Sequence, residues 1–110
     1  MDKNTKVLFS GESSRSAVGS RWDDACAEVV ADWSGPGYGL TNTMTEEAIR
    51  LAGRYEGLVI DPVYSGKAMA GLIGLARQGR FRDTEPVVWI HTGGAPGLFA
   101  YPTTMARLSK

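Results

Sequence analysis

Glycine punctuates this chain so often that only short elements can form between its breaks. Fourteen of the 110 residues are glycine. Seven of them stand as a cluster at Gly35, Gly37 and Gly39, singly at Gly57 and Gly79, and as a pair at Gly93-Gly94. What remains between them suits a few helical turns or one short strand. Val7, Leu8 and Phe9 are consecutive apolar residues and predict a strand over 5–10, followed by a Ser- and Gly-rich loop over 11–20. Trp22, Ala25, Cys26, Val29, Val30 and Trp33 recur at helical spacing, with Arg21, Asp23, Asp24, Glu28 and Asp32 on the opposite face. Such a face, carrying two tryptophans, needs cover.

After residues 35–39, Thr43 and Glu46 form a capping-box pattern, which predicts a helix over 44–56 stopped by Gly57. Leu58-Val59-Ile60 has strand character, and Asp61-Pro62 ends it, because proline offers no donor and restricts the residue before it. Ser65 is placed to cap a helix over 66–78, with Met69, Leu72, Ile73 and Ala76 on one face. Gly71 and Gly74 each weaken that helix by about 1 kcal/mol relative to alanine, which suggests close packing against another backbone. Gly79 ends it. Val87-Val88-Trp89-Ile90-His91 reads as a buried strand, with Thr92-Gly93-Gly94 at its carboxyl end. Helix, short strand, helix, strand and Gly-rich turn together predict an α/β fold: a partial open, mainly parallel sheet with flanking helices, forming a single partial domain over 1–110.

Bulk composition removes several classes of function. Twelve basic residues balance twelve acidic ones, so there is no electrostatic case for a nucleic-acid or membrane-surface partner. No apolar run approaches the length of a membrane span, and Met1-Asp2-Lys3-Asn4 lacks the apolar stretch of a signal peptide. The single Cys26 excludes an intrachain disulfide and suits a reducing cytoplasm, as a small core residue. No metal site is expected.

Three segments can carry chemistry. Thr92-Gly93-Gly94 follows a predicted strand, where open α/β sheets place ligands against glycine backbone. Asp61-Pro62-Val63-Tyr64-Ser65-Gly66-Lys67 sets a tyrosine and a serine at a helix start, where a hydroxyl either caps the helix or meets a ligand. Residues 35–39 display Tyr38 among glycines. Taken singly, these are a turn, a cap and a loop.

Together they are specific. "EGLVIDPVYSGKAMAGLIGLARQGRF" followed by "VVWIHTGGAPGLFAY", with "GPGYG" upstream, resembles the D-cysteine desulfhydrase and 1-aminocyclopropane-1-carboxylate deaminase family, of fold type II among the pyridoxal-phosphate enzymes. The likeness is strong over 35–101 and faint over 1–34. It implies pyridoxal phosphate held between two domains, with Tyr38 and Tyr64 as catalytic residues and Ser65, Thr92, Gly93 and Gly94 as cofactor-binding residues. Where the deaminases carry glutamate after the "DPVY" tyrosine, this chain has Ser65; where they carry leucine before the glycine pair, it has Thr92. A carboxylate beside the pyridine nitrogen would keep it protonated and make the ring a strong electron sink, whereas a hydroxyl leaves a weaker sink that suffices to eliminate thiolate. The resemblance therefore favours a desulfhydrase-like lyase acting on a D-amino acid over the deaminase.

Members of that family are considerably longer and carry the cofactor-bearing lysine in their N-terminal portion. The lysines here are Lys3, Lys6, Lys67 and Lys110, and Lys67 is expected to be a solvated or salt-bridged helix residue. His91 is expected to be a hydrogen-bonded residue at a strand end rather than a base. The chain is accordingly expected to be a C-terminal portion, inactive alone, which meets the missing N-terminal portion or self-associates. A different class of reading is a non-catalytic domain that binds a phosphate or a protein partner, with the Trp22 and Trp33 face as its interface.

Overall fold

Residues 7–10, 27–84 and 86–110 are described by the computed structural model. Strand β1 (Val7–Ser10) pairs in parallel with β2 (Ala27–Val30), Val7 opposite Ala27 and Ser10 opposite Val30. Helices α1 (Thr43–Glu56) and α2 (Ser65–Arg77) follow. A 3-10 turn (Ala95–Ala100) then leads into the short α3 (Pro102–Leu108). The expected loop at 11–20, and Trp22 and Cys26, lie outside the described residues.

The helical reading of 22–33 fails in its second half, because residues 27–30 are a strand. Val29 and Val30 are β-branched, stiff against a helical turn and suited to a pleated ladder, and β1 supplies the partner. Trp33 leaves this strand and buries itself against α2, where a Cβ on Gly74 would strike its indole ring. Gly74 therefore accommodates a side chain, not a neighbouring backbone.

Helix α1 begins one residue earlier than the capping-box pattern predicts. Asn42, in an extended conformation, accepts the Thr45 amide on its Oδ1 at 2.8 Å. Glu46 does not close a capping box; it is buried and pairs with Arg107 of α3 at 2.5 Å. Long-range charge pairing has outcompeted a local cap. Gly57 does end α1, in the left-handed conformation at φ 66°.

Two adjoining apolar clusters hold the helices. Ile49 and Ala52 of α1 meet Ile60 and Leu98, with Leu58, Trp89, Met105 and Leu108 packed around them. Trp33, Ala48 and Ala70 form the second cluster, and Met69 of α2 packs against both.

Neither Leu58-Val59-Ile60 nor residues 87–91 is paired in a sheet; among the described residues the only ladder is β1–β2. Neither segment forms a regular element, because a strand needs a neighbour to satisfy its backbone. Val88 and Ile90 lie 80% and 74% exposed, so their apolar side chains are not covered as a buried strand's would be. Among the described residues no helix is long and apolar enough to cross a membrane, and no group of three His, Cys, Asp or Glu could hold a metal ion.

Candidate functional site

Asp61 organises the start of α2. Proline follows it, so the chain turns there, and the Asp61 carboxylate folds back over the turn it has begun. Its Oδ2 accepts the Val63 and Tyr64 amides at 2.7 and 2.8 Å, and its Oδ1 accepts the Ser65 amide at 3.0 Å. Ser65 Oγ donates to Oδ1 at 2.5 Å and accepts the Asp61 amide at 2.9 Å. Only 2% of Asp61 is exposed. Burial pushes its carboxyl up, but the Ser65 hydroxyl and the amides of Tyr64, Ser65 and Val63 outweigh that and hold it below the usual aspartate value.

This changes the role expected of Ser65. It is the first residue of α2 rather than its cap, and its hydroxyl is directed to Asp61. The orphan amides at the helix start are met by a carboxylate from the preceding turn.

Tyr64 projects outward, 55% exposed, and meets Tyr38, which is 80% exposed. Their hydroxyls lie 2.8 Å apart, and their rings sit edge to face with centroids 5.9 Å apart. The hydrogen bond with Tyr38 raises the Tyr64 phenol above its ordinary value; partial desolvation and the charges of Tyr38, Asp61 and Tyr101 act the same way. Two phenols from segments 26 residues apart thus hold a proton between them at a solvent-facing position.

The Tyr38 loop is anchored by Lys67. Its Nζ donates to the Gly37 carbonyl at 2.9 Å, and the residue is buried. Lys67 is therefore buried and, among the described residues, without a salt bridge, rather than the solvated or salt-bridged residue the sequence reading expects. At the adjoining start of α1, Thr41 Oγ1, Asn42 Nδ2 and Thr45 Oγ1 are buried without a hydrogen-bond partner among the described residues.

The Thr92-Gly93-Gly94 turn approaches the same carboxylate. Both glycines have positive φ, 103° and 86°, and a Cβ on Gly94 would lie 2.8 Å from Asp61 Oδ1. Thr92 is exposed and makes no side-chain hydrogen bond among the described residues. His91 braces the turn: Nδ1 accepts the Gly93 amide at 3.0 Å, and Nε2 lies 3.1 Å from the Val59 carbonyl. A backbone amide can only donate, so Nδ1 is the acceptor and Nε2 carries the proton. Both ring nitrogens are engaged, in the hydrogen-bonded role expected of this histidine.

Tyr38, Tyr64, Ser65 and the glycine pair therefore converge around the start of α2, and Asp61 and Lys67 hold them there. Sequence reading gave neither of the two a part in the site. Asp61 was legible as an Asp-Pro turn with a serine four residues on, a pattern that favours side-chain capping of backbone amides; Lys67 gave no local signal. A protein-family model described as pyridoxal-phosphate dependent enzyme matches residues 10–93.

Proposed function

The chain belongs to the pyridoxal-phosphate dependent enzyme family, and from that premise we propose that it forms the C-terminal face of the cofactor site in a D-cysteine desulfhydrase-like lyase. Overall, such an enzyme takes D-cysteine and water to pyruvate, hydrogen sulfide and ammonia. Pyridoxal phosphate, when bound, supplies the electron sink that draws charge from the substrate's α-carbon.

The residues present fit that group. Tyr64 offers an exposed ring and hydroxyl beside Tyr38, and Thr92 an exposed hydroxyl without a partner among the described residues. The Gly93-Gly94 turn is exposed and carries no side chains of its own. Of the two hydroxyls expected near the pyridine nitrogen, that of Ser65 is spent on Asp61, so the reading assigns the contact to Thr92. The Tyr38–Tyr64 pair would hold the proton that the departing thiolate takes up.

One observation carries the choice of lyase over deaminase: no free carboxylate stands at position 65. The nearest, Asp61, is buried and already accepts four hydrogen bonds. Without a carboxylate to keep the ring nitrogen protonated, the arrangement suits expulsion of a good leaving group. The reading also retains the larger parallel sheet. Residues 58–60 and 87–91 have no ladder partner among the described residues, and would join strands from elsewhere in the enzyme. Lys67, whose amine donates to the Gly37 carbonyl, is read as an anchor of the Tyr38 loop rather than as the cofactor-bearing lysine.

Replacing the matching part of a complete D-cysteine desulfhydrase with residues 35–101 tests the proposal. The chimera is expected to release sulfide from D-cysteine. Thr92→Leu should lower that rate about tenfold, the loss of one hydrogen bond to the ring, and Ser65→Ala should lower it less. Ammonia from 1-aminocyclopropane-1-carboxylate, with no sulfide from D-cysteine, would overturn it in favour of the deaminase.

A further inference from the structure

We infer that Asp61 is a positioning residue: one buried carboxylate fixes Tyr64 beside Tyr38 and seats the Gly93-Gly94 turn next to them. Three observations meet on the same side chain. Oδ2 accepts the amide of Tyr64 itself, together with that of Val63, and so orients the backbone from which the phenol projects. Oδ1 holds the amide and hydroxyl of Ser65, which locks the first turn of α2. On its far side the carboxylate fills the space that a side chain at Gly94 would need, and a Cβ added at Gly97 would lie 3.4 Å from the Asp61 Cβ. Asp61 has no exposed face with which to meet a ligand. It acts only through its neighbours.

An aspartate suits this position because an ionised carboxylate accepts several bonds at once and donates none. Asparagine would turn an NH2 group toward either Val63 and Tyr64 or Ser65, setting donor against donor. The catalytic meaning of the inference rests on Tyr64 facing the cofactor, as proposed above. The geometry stands without cofactor, so its test uses none.

The 110-residue chain labelled with 13C in its tyrosine rings reads the arrangement directly. The wild-type chain is expected to show a ring-to-ring nuclear Overhauser contact between Tyr38 and Tyr64. In Asp61→Asn that contact should be lost, and the Tyr64 phenol should titrate at lower pH, because both the Tyr38 bond and the Asp61 charge hold it up. Gly94→Ala reaches the same carboxylate from the exposed turn, so it reports even where Asp61→Asn does not fold; it should weaken the contact and shift the Tyr64 amide. Ile60→Ala, which loosens the core without touching Asp61's partners, should keep the contact in its folded fraction. An unchanged contact in Asp61→Asn or in Gly94→Ala would overturn the inference, as would its loss in Ile60→Ala. A desulfhydrase chimera that releases no sulfide while these tyrosine results hold would sink the proposed function and leave the positioning role intact.

Discussion

Helices α1 and α2 bury Ala48, Ile49, Ala52 and Ala70 between and around them and end on defined caps, whereas residues 86–94 run alongside with Val88 and Ile90 largely exposed. The helical region satisfies its own backbone. The later segment is held through side chains: Trp89 reaches the core around Ile60, and His91 bridges Val59 and Gly93. The two regions thus stand in opposite states. Helices close their hydrogen bonds within one segment, while a strand needs a neighbouring one to close its own. The candidate site lies where these regions meet, with Tyr64 at the head of α2 and Thr92 just after residues 87–91.

Substitution of paired isoleucines tests that contrast most strongly. Ile60 is fully buried and Ile90 is 74% exposed. Ile60→Ala is expected to lower stability by about 2–5 kcal/mol in denaturant unfolding, and Ile90→Ala by less than about 0.5 kcal/mol. Equal losses would show that residues 86–94 are covered, by a second copy or another segment, and would dissolve the comparison.

Gly74→Ala comes next. Alanine is the better helix former, yet its methyl group would enter the Trp33 indole, so a loss of about 1–3 kcal/mol is expected. A gain in thermal stability would mean that Trp33 moves aside easily and that the helical region is less tightly packed than its burial implies.

A smaller effect should appear in acid. Asp61 sits below its ordinary value when folded. Its contribution is therefore fully present above the unfolded value of about 4 and is lost as pH falls through the folded value. Denaturation midpoints measured from pH 7 to pH 2 should fall below about pH 4, and less steeply in Ser65→Ala, which has lost one of the bonds holding the carboxyl down. The two curves falling in parallel would show that the Ser65 hydroxyl does not stabilise the ionised form.

The smallest change is expected from Arg77→Ala. Arg77 meets Glu47 at 2.7 Å, but both side chains are well exposed. Solvent screening leaves such pairs little net effect, and the melting temperature should stay within replicate scatter. A clear drop would tie α1 to α2 by charge as well as by packing.

Much of the helical region was legible from its glycines and periodicity. Gly57 and Gly79 mark the ends of α1 and α2, and the expected span of 66–78 lies one residue from Ser65–Arg77. Local chemistry misled where a distant partner won. Glu46 left its capping box for Arg107, 61 residues away, and Val29 and Val30 left their helical pattern for β1. Within the site, residue types showed which side chains could matter, but not that Ser65 and Gly94 answer to one carboxylate. That depends on how the chain folds back after Pro62, which no spacing records.

The bond from Lys67 to Gly37 has a consequence for timing. Swinging Tyr38 away from Tyr64 requires either breaking that bond or bending the loop around a fixed Gly37. Breaking a hydrogen bond from a charged group costs about 1.5–3 kcal/mol, which confines the open loop to about one molecule in ten to one in a hundred and fifty at any instant. Anything that fits beside the closed loop meets the two phenols already assembled, on entering and leaving alike, and the wait for the rare open form falls only on a partner too bulky to enter beside Tyr38.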